Sequence, residues 1–133
     1  MDQEVLVKER LEAGEEFAHE FNKHFPVAVA FWIFPAQFER WRFYLASTEI
    51  TEDNRDLAYL AVSECDALLR SPWLESGDVR ILSAADPLSA AVIAVRDRYI
   101  LKAPTPFDRP YVGRLVNNGL YINPPMMALT PVP

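Results

Sequence analysis

The chain has 133 residues, 50% of them hydrophobic and 24% charged, with a net charge of −6 at neutral pH. That length suits one domain with a real core, and the composition argues against a disordered chain. The acidic balance disfavours broad binding to phosphate backbones, and the longest apolar run falls well short of the ~20 residues that span a bilayer.

The first predicted element is a helix over about Gln3–Lys23. Val7, Leu11, Gly14, Ala18, Phe21 and Phe25 share one face at three-and-four spacing, while Glu9, Glu12, Glu15, Glu16 and Glu20 occupy the remainder. Glycine inside a helix costs about 1 kcal/mol relative to alanine, so Gly14 is expected to mark close packing against a sheet. The same stretch is charged throughout and lacks a basic leader with an apolar middle, so no secretory signal is expected.

Pro26 ends this helix, and FPVAVAFWIF then runs apolar at nearly every position, the pattern of a strand buried on both faces. The following WRFYLAS alternates instead, with Trp41, Phe43 and Leu45 on one side and Arg42 and Tyr44 on the other. Together these two segments predict the centre of a sheet.

A second helix is expected from Thr51–Asp53 to Leu69, with Asp53 capping its first turn, Asp56 near the positive end of its dipole, and Leu57, Ala61, Cys65 and Leu68 as the inward row. Pro72 ends it, and Trp73 and Leu74 are placed over an edge of the core. Residues 78–83 (DVRILS) read as a short strand with Val79 and Ile81 on one face. Asp86-Pro87 then signals a third helix, whose stripe is Leu88, Ala91, Val92, Val95 and Tyr99. Residues 103–110 are proline-punctuated and extended. YVGRLVNNGLYIN reads as a hairpin turning at Asn118-Gly119, a dipeptide that accepts positive φ. The proline-rich tail, residues 124–133, cannot form a regular helix or a central strand and is expected to lie against its own domain or a neighbour.

The expected fold is therefore one α+β domain over residues 1–133. Its mainly antiparallel sheet has about five strands, its three helices pack largely on one face, and its order is α-β-β-α-β-α-β-β. Strand order is not legible from the sequence.

No GxSxG, GxGxxG, GxxxxGK or paired CxxC occurs, and four glycines leave little material for a phosphate cradle. His19-Glu20 and His24 form HExxxH. Five helical residues turn the second imidazole about 140° from the first, too far to share a metal in the i, i+4 manner. Glu15–His19 and Glu20–His24 stand at pairing distance along the helix. Glu52, Asp53 and Asp56 suit a helix N-terminus better than acid–base catalysis, which needs one desolvated carboxyl. Cys65, the single cysteine, is flanked by Glu64 and Asp66 and sits on the inward row, so buried packing is expected rather than nucleophilic reactivity. A lone cysteine also points to the cytosol. No catalytic residue, metal ligand or cofactor is nominated.

Charge is uneven along the chain: residues 1–95 carry eight Lys and Arg against 17 Asp and Glu, a net −9, and residues 96–133 carry five against two, a net +3. Arg109 and Arg114 in that basic end are the candidate anion site, and a small enzyme built there is the least favoured reading. The stronger candidate is the sheet's second face. If Trp41, Phe43 and Leu45 face the helices, Arg42 and Tyr44 face away. One alternating set of the first strand must join them, either the one with Trp32 and Phe34 or the one with Phe31 and Ile33, and Tyr121 joins if Leu120 and Ile122 turn inward. Three covers are open: the chain's own tail or Trp73–Leu74, a second copy, or a ligand. The expected function is that of a cytosolic protein-contact module, a homodimer or a binder of another protein. Its contact surface is placed on Trp32, Phe34, Arg42, Tyr44 and Tyr121. The alternative is a small-ligand or single-stranded nucleic-acid binder using the same aromatic face, against which the net charge stands.

Overall fold

The computed structural model describes residues 7–34, 40–107 and 119–126. Its elements are α1 (Lys8–Phe21), β1 (Val29–Phe34), β2 (Arg42–Ser47), α2 (Arg55–Leu69), β3 (Val79–Ser83), α3 (Pro87–Arg96), β4 (Thr105–Phe107) and β5 (Gly119–Ile122), with one 3-10 turn at Ser76–Asp78. This is an α+β fold in the expected order. The strands form one sheet ordered β3-β2-β1-β5-β4, in which only the β2–β3 pair is parallel. A parallel pair needs a crossover, and α2 supplies it.

The register decides which side chains share a face. Trp32 stands opposite Phe43, and Phe31 opposite Tyr44. Residues directly opposite on neighbouring strands point the same way. Ala30, Trp32 and Phe34 therefore join Phe43, Leu45, Val79 and Ile81 in the core under α1 and α2. Val29, Phe31, Ile33, Ala46, Leu120 and Ile122 form a second core with Val92 and Val95 of α3. All six residues of β1 are buried, as its unbroken apolar run predicts.

Two helices thus lie on one face and the third on the other. The connection from β3 to β4 joins opposite ends of the sheet, so it must cross a face, and α3 is the crossing. Asp86 starts α3 by accepting a hydrogen bond from Leu88 N at 2.9 Å, with Pro87 in the first turn. Tyr99 falls beyond its end and is exposed.

Several local expectations change. The N-cap of α2 is Asn54, not Asp53, because the Asn54 side chain accepts from Thr51 N and donates to Glu49 O, each at 2.8 Å, and so fixes the preceding loop. The buried row of α2 is Ala58, Ala61, Val62 and Cys65, which leaves Leu57 and Leu68 on the outside. Gly119 belongs to β5 and does not adopt positive φ. Trp41 lies against its Cα, and that close approach is what excludes a side chain there. Asn118 and the first arm of the expected hairpin lie outside the described residues. Leu74 closes into the core as expected, while Trp73 stays exposed.

Candidate functional surfaces

The five residues nominated for a contact surface fall on both faces of the sheet. Trp32 and Phe34 are buried beneath α1 and α2, and Tyr121 packs at the margin of that core, its ring edge-on to Trp41 with centroids 5.6 Å apart. Tyr44 and Arg42 are half-buried on the α3 side, where Tyr44 stacks on Phe31 at 5.2 Å. Burial pushes the Tyr44 hydroxyl above its ordinary range, with Arg42 pulling the other way. The two sets cannot act as one patch. Arg109 and Arg114 lie outside the described residues.

One sheet edge is engaged too. At the centre of β3, Arg55 of α2 donates to Ile81 O at 2.7 Å and Tyr59 accepts from Ile81 N at 3.1 Å. These side chains take the backbone groups that another strand would need. The opposite edge is the three-residue β4, whose middle residue Pro106 has no N–H to offer.

Two further features stand out among the described residues. One is the outer face of α2, where Leu57, Leu60 and Leu68 are 61%, 55% and 65% exposed. Their spacing of three and eight puts them on one side of the helix. Ala61 and Cys65 of the row expected to face inward are buried, whereas Leu57 and Leu68 join Leu60 outside, because the inward positions Ala58, Ala61, Val62 and Cys65 hold small residues, which let α2 lie close to α1 and β3. Sequence reasoning missed it: residues 57–62 (LAYLAV) are apolar at six successive positions, so periodicity does not choose a face.

The other is a cavity of about 520 Å³ beneath the C-terminal half of α1. Ala18, Val27, Val29, Ala30, Leu101 and Met126 make its apolar walls, and Glu15, His19, Lys102 and Asn123 bring polar groups. Burial raises the Glu15 pKa, His19 lowers it and Glu12 adds a smaller upward push. Asn123 is held in place by its backbone N–H, which donates to Ala30 O at 3.0 Å, and its buried Oδ1 has no hydrogen-bond partner. Pro124 and Pro125 of the expected tail also line this space. Residues 127–133 lie outside the described residues.

No family model, curated protein or solved structure matches the chain. Among the described residues, no group of three or more His, Cys, Asp or Glu side chains could hold a metal, and no helix is long and apolar enough to cross a membrane.

Cys65 is buried, and its thiol is pushed up to about 11, first by burial and then by Glu20 and Glu64, with Lys23 opposing. The unfolded thiol ionises near its ordinary 9.0, so above that pH the unfolded chain sheds a proton that the folded chain keeps. Stability should fall as pH rises from 9 toward 11. The difference in urea midpoint between the native chain and Cys65→Ala should shrink over the same window, and a constant difference would refute the shift. At neutral pH, iodoacetamide should label Cys65 only as fast as the chain opens.

Proposed function

We propose that the chain is a cytosolic protein-contact module that pairs with a second copy through the outer face of α2. The carrying observation is the exposed row Leu57, Leu60 and Leu68 on a structure whose central strand is buried on both faces and whose β3 edge is engaged by α2. A two-fold axis across the middle of α2 sets Leu57 of one copy against Leu68 of the other, about 16 Å apart along each helix. The antiparallel arrangement also brings the exposed Glu52, Asp53 and Asp56 at the start of one helix toward the exposed Arg70 at the end of its partner. A parallel pairing would set like charges together.

Six partly exposed leucines contribute about 1–2 kcal/mol each when covered, against an association cost of roughly 4–15 kcal/mol. The pair should therefore be reversible and concentration-dependent. Light scattering coupled to size exclusion should show the mass rising toward twice the 15.2 kDa chain mass with concentration. Leu60→Glu should abolish that rise and leave the melting temperature nearly unchanged, because leucine and glutamate have similar helix propensities and the site is exposed. A monomeric native chain, or a dimer that survives both Leu60→Glu and Leu68→Glu, would sink the proposal. The net charge of −6 gives nucleic acid little support as a partner.

A further inference from the structure

We propose that the cavity beneath α1 binds an α-amino acid with an apolar side chain, either free or as the unit of a short peptide. The site is independent of the α2 face, since its walls come from α1, the start of β1, residues 101–102 and residues 123–126. Its volume of about 520 Å³ lies within the range of sites that hold small organic ligands, roughly 300–1,000 Å³.

The ligand class follows from the four polar groups. His19 and Lys102 stand exposed at the mouth and bring donors, Lys102 as a full positive charge. Glu15 is half-buried on the same helix one turn before His19, and brings a carboxyl acceptor. Asn123 is buried in the wall, anchored through its backbone to β1, with an acceptor that has no hydrogen-bond partner among the described residues. An unpartnered buried acceptor is costly, so beside a cavity it is a place for a donor from a ligand to bind.

Donors and acceptors stand beside one apolar chamber, and a zwitterion answers both. Its ammonium suits Glu15 and Asn123, its carboxylate suits Lys102 and His19, and its apolar side chain replaces water against Val27, Val29, Ala30, Leu101 and Met126. A simple carboxylate would set a second negative charge near Glu15 and leave the Asn123 acceptor unmet. A simple amine would leave Lys102 without a counter-charge and add a like charge beside it. The raised pKa of Glu15 fits a carboxyl buried without enough positive charge around it, which a ligand ammonium would supply.

Isothermal titration with L-leucine, Leu-Leu, N-acetyl-leucine, isoamylamine and glycine tests the proposal on the native chain. L-leucine or Leu-Leu should bind, and whichever binds more tightly identifies the free or peptide form. N-acetyl-leucine, isoamylamine and glycine, each lacking one of the three recognised features, should bind at least about tenfold more weakly, equal to 1.4 kcal/mol. Glu15→Gln and Lys102→Ala should each weaken binding by a similar factor. Lys102 is exposed, so its removal leaves the fold intact, which an unchanged melting curve would verify. No heat from either leucine or Leu-Leu at millimolar concentration, equal binding by N-acetyl-leucine, or full binding by both variants would overturn the assignment.

Discussion

Gly119→Ala should destabilise the chain by about 3 kcal/mol, the upper end of the usual range for overpacking. A Cβ at this position would overlap Trp41 Cη2 and stand 3.0 Å from Trp41 Cζ2. Trp41 has little room to retreat. Its ring is buried between Phe34, with centroids 5.3 Å apart, and Tyr121, at 5.6 Å, so moving it breaks an aromatic cluster that joins β1, β5 and the entry to β2. The glycine gives up cross-strand packing opposite Phe34, and the indole fills the space left by the absent side chain. A double-mutant cycle separates this account from a backbone effect. Trp41→Leu alone should cost several kcal/mol through the cavity it leaves, but in that background Gly119→Ala should cost less than about 1 kcal/mol, a coupling well above the ordinary additivity error. Urea denaturation of the four chains supplies the numbers. Equal costs in both backgrounds would mean that Gly119 is there for its backbone and not for Trp41.

The sequence and structure agree where one physical signal dominates. The unbroken apolar run of β1 meant burial on both faces, and both are covered. Asp86-Pro87 set the start of α3 through a cap that forms as expected. Disagreement begins where two arrangements are equally apolar. The phase of β1 depends on its register with β2, and both alternating sets, Trp32 with Phe34 and Phe31 with Ile33, are large and apolar. A shift of one residue would exchange them. Only the pairing of Trp32 with Phe43 settles the matter. The cover on the second face was equally hidden. The stripe of α3 was visible, but its destination follows from β3 and β4 lying at opposite sheet edges, a long-range fact that no local pattern carries. The cavity escaped for a similar reason: Glu15 and His19 are neighbours in sequence, whereas Lys102 and Asn123 reach them only through the fold.

Gly14→Ala should also destabilise, by up to about 2 kcal/mol net, although alanine is the better helix former by about 1 kcal/mol. A Cβ at Gly14 would sit 2.9 Å from Trp32 Cζ2, 3.0 Å from Trp32 Nε1 and 3.1 Å from Phe43 Cε1. Both rings are fully buried and packed on each other with centroids 4.7 Å apart, so neither can yield without opening the core, and overpacking of this kind costs about 1–3 kcal/mol. Gly77 is the internal control. Nothing lies within 4 Å of its would-be Cβ, so Gly77→Ala should be neutral or slightly stabilising through the unfolded chain. The same contact bears on Trp32, whose indole N–H is buried without a hydrogen-bond partner against α1. Trp32→Phe removes that donor and the two Trp32 contacts over Gly14, leaving the one to Phe43, so Gly14→Ala should cost less in the Trp32→Phe background than in the native chain. If thermal melts instead show Gly14→Ala stabilising the native chain, α1 does not lie against the Trp32 ring at the distance given, and the contact that positions α1 over β1 is wrong.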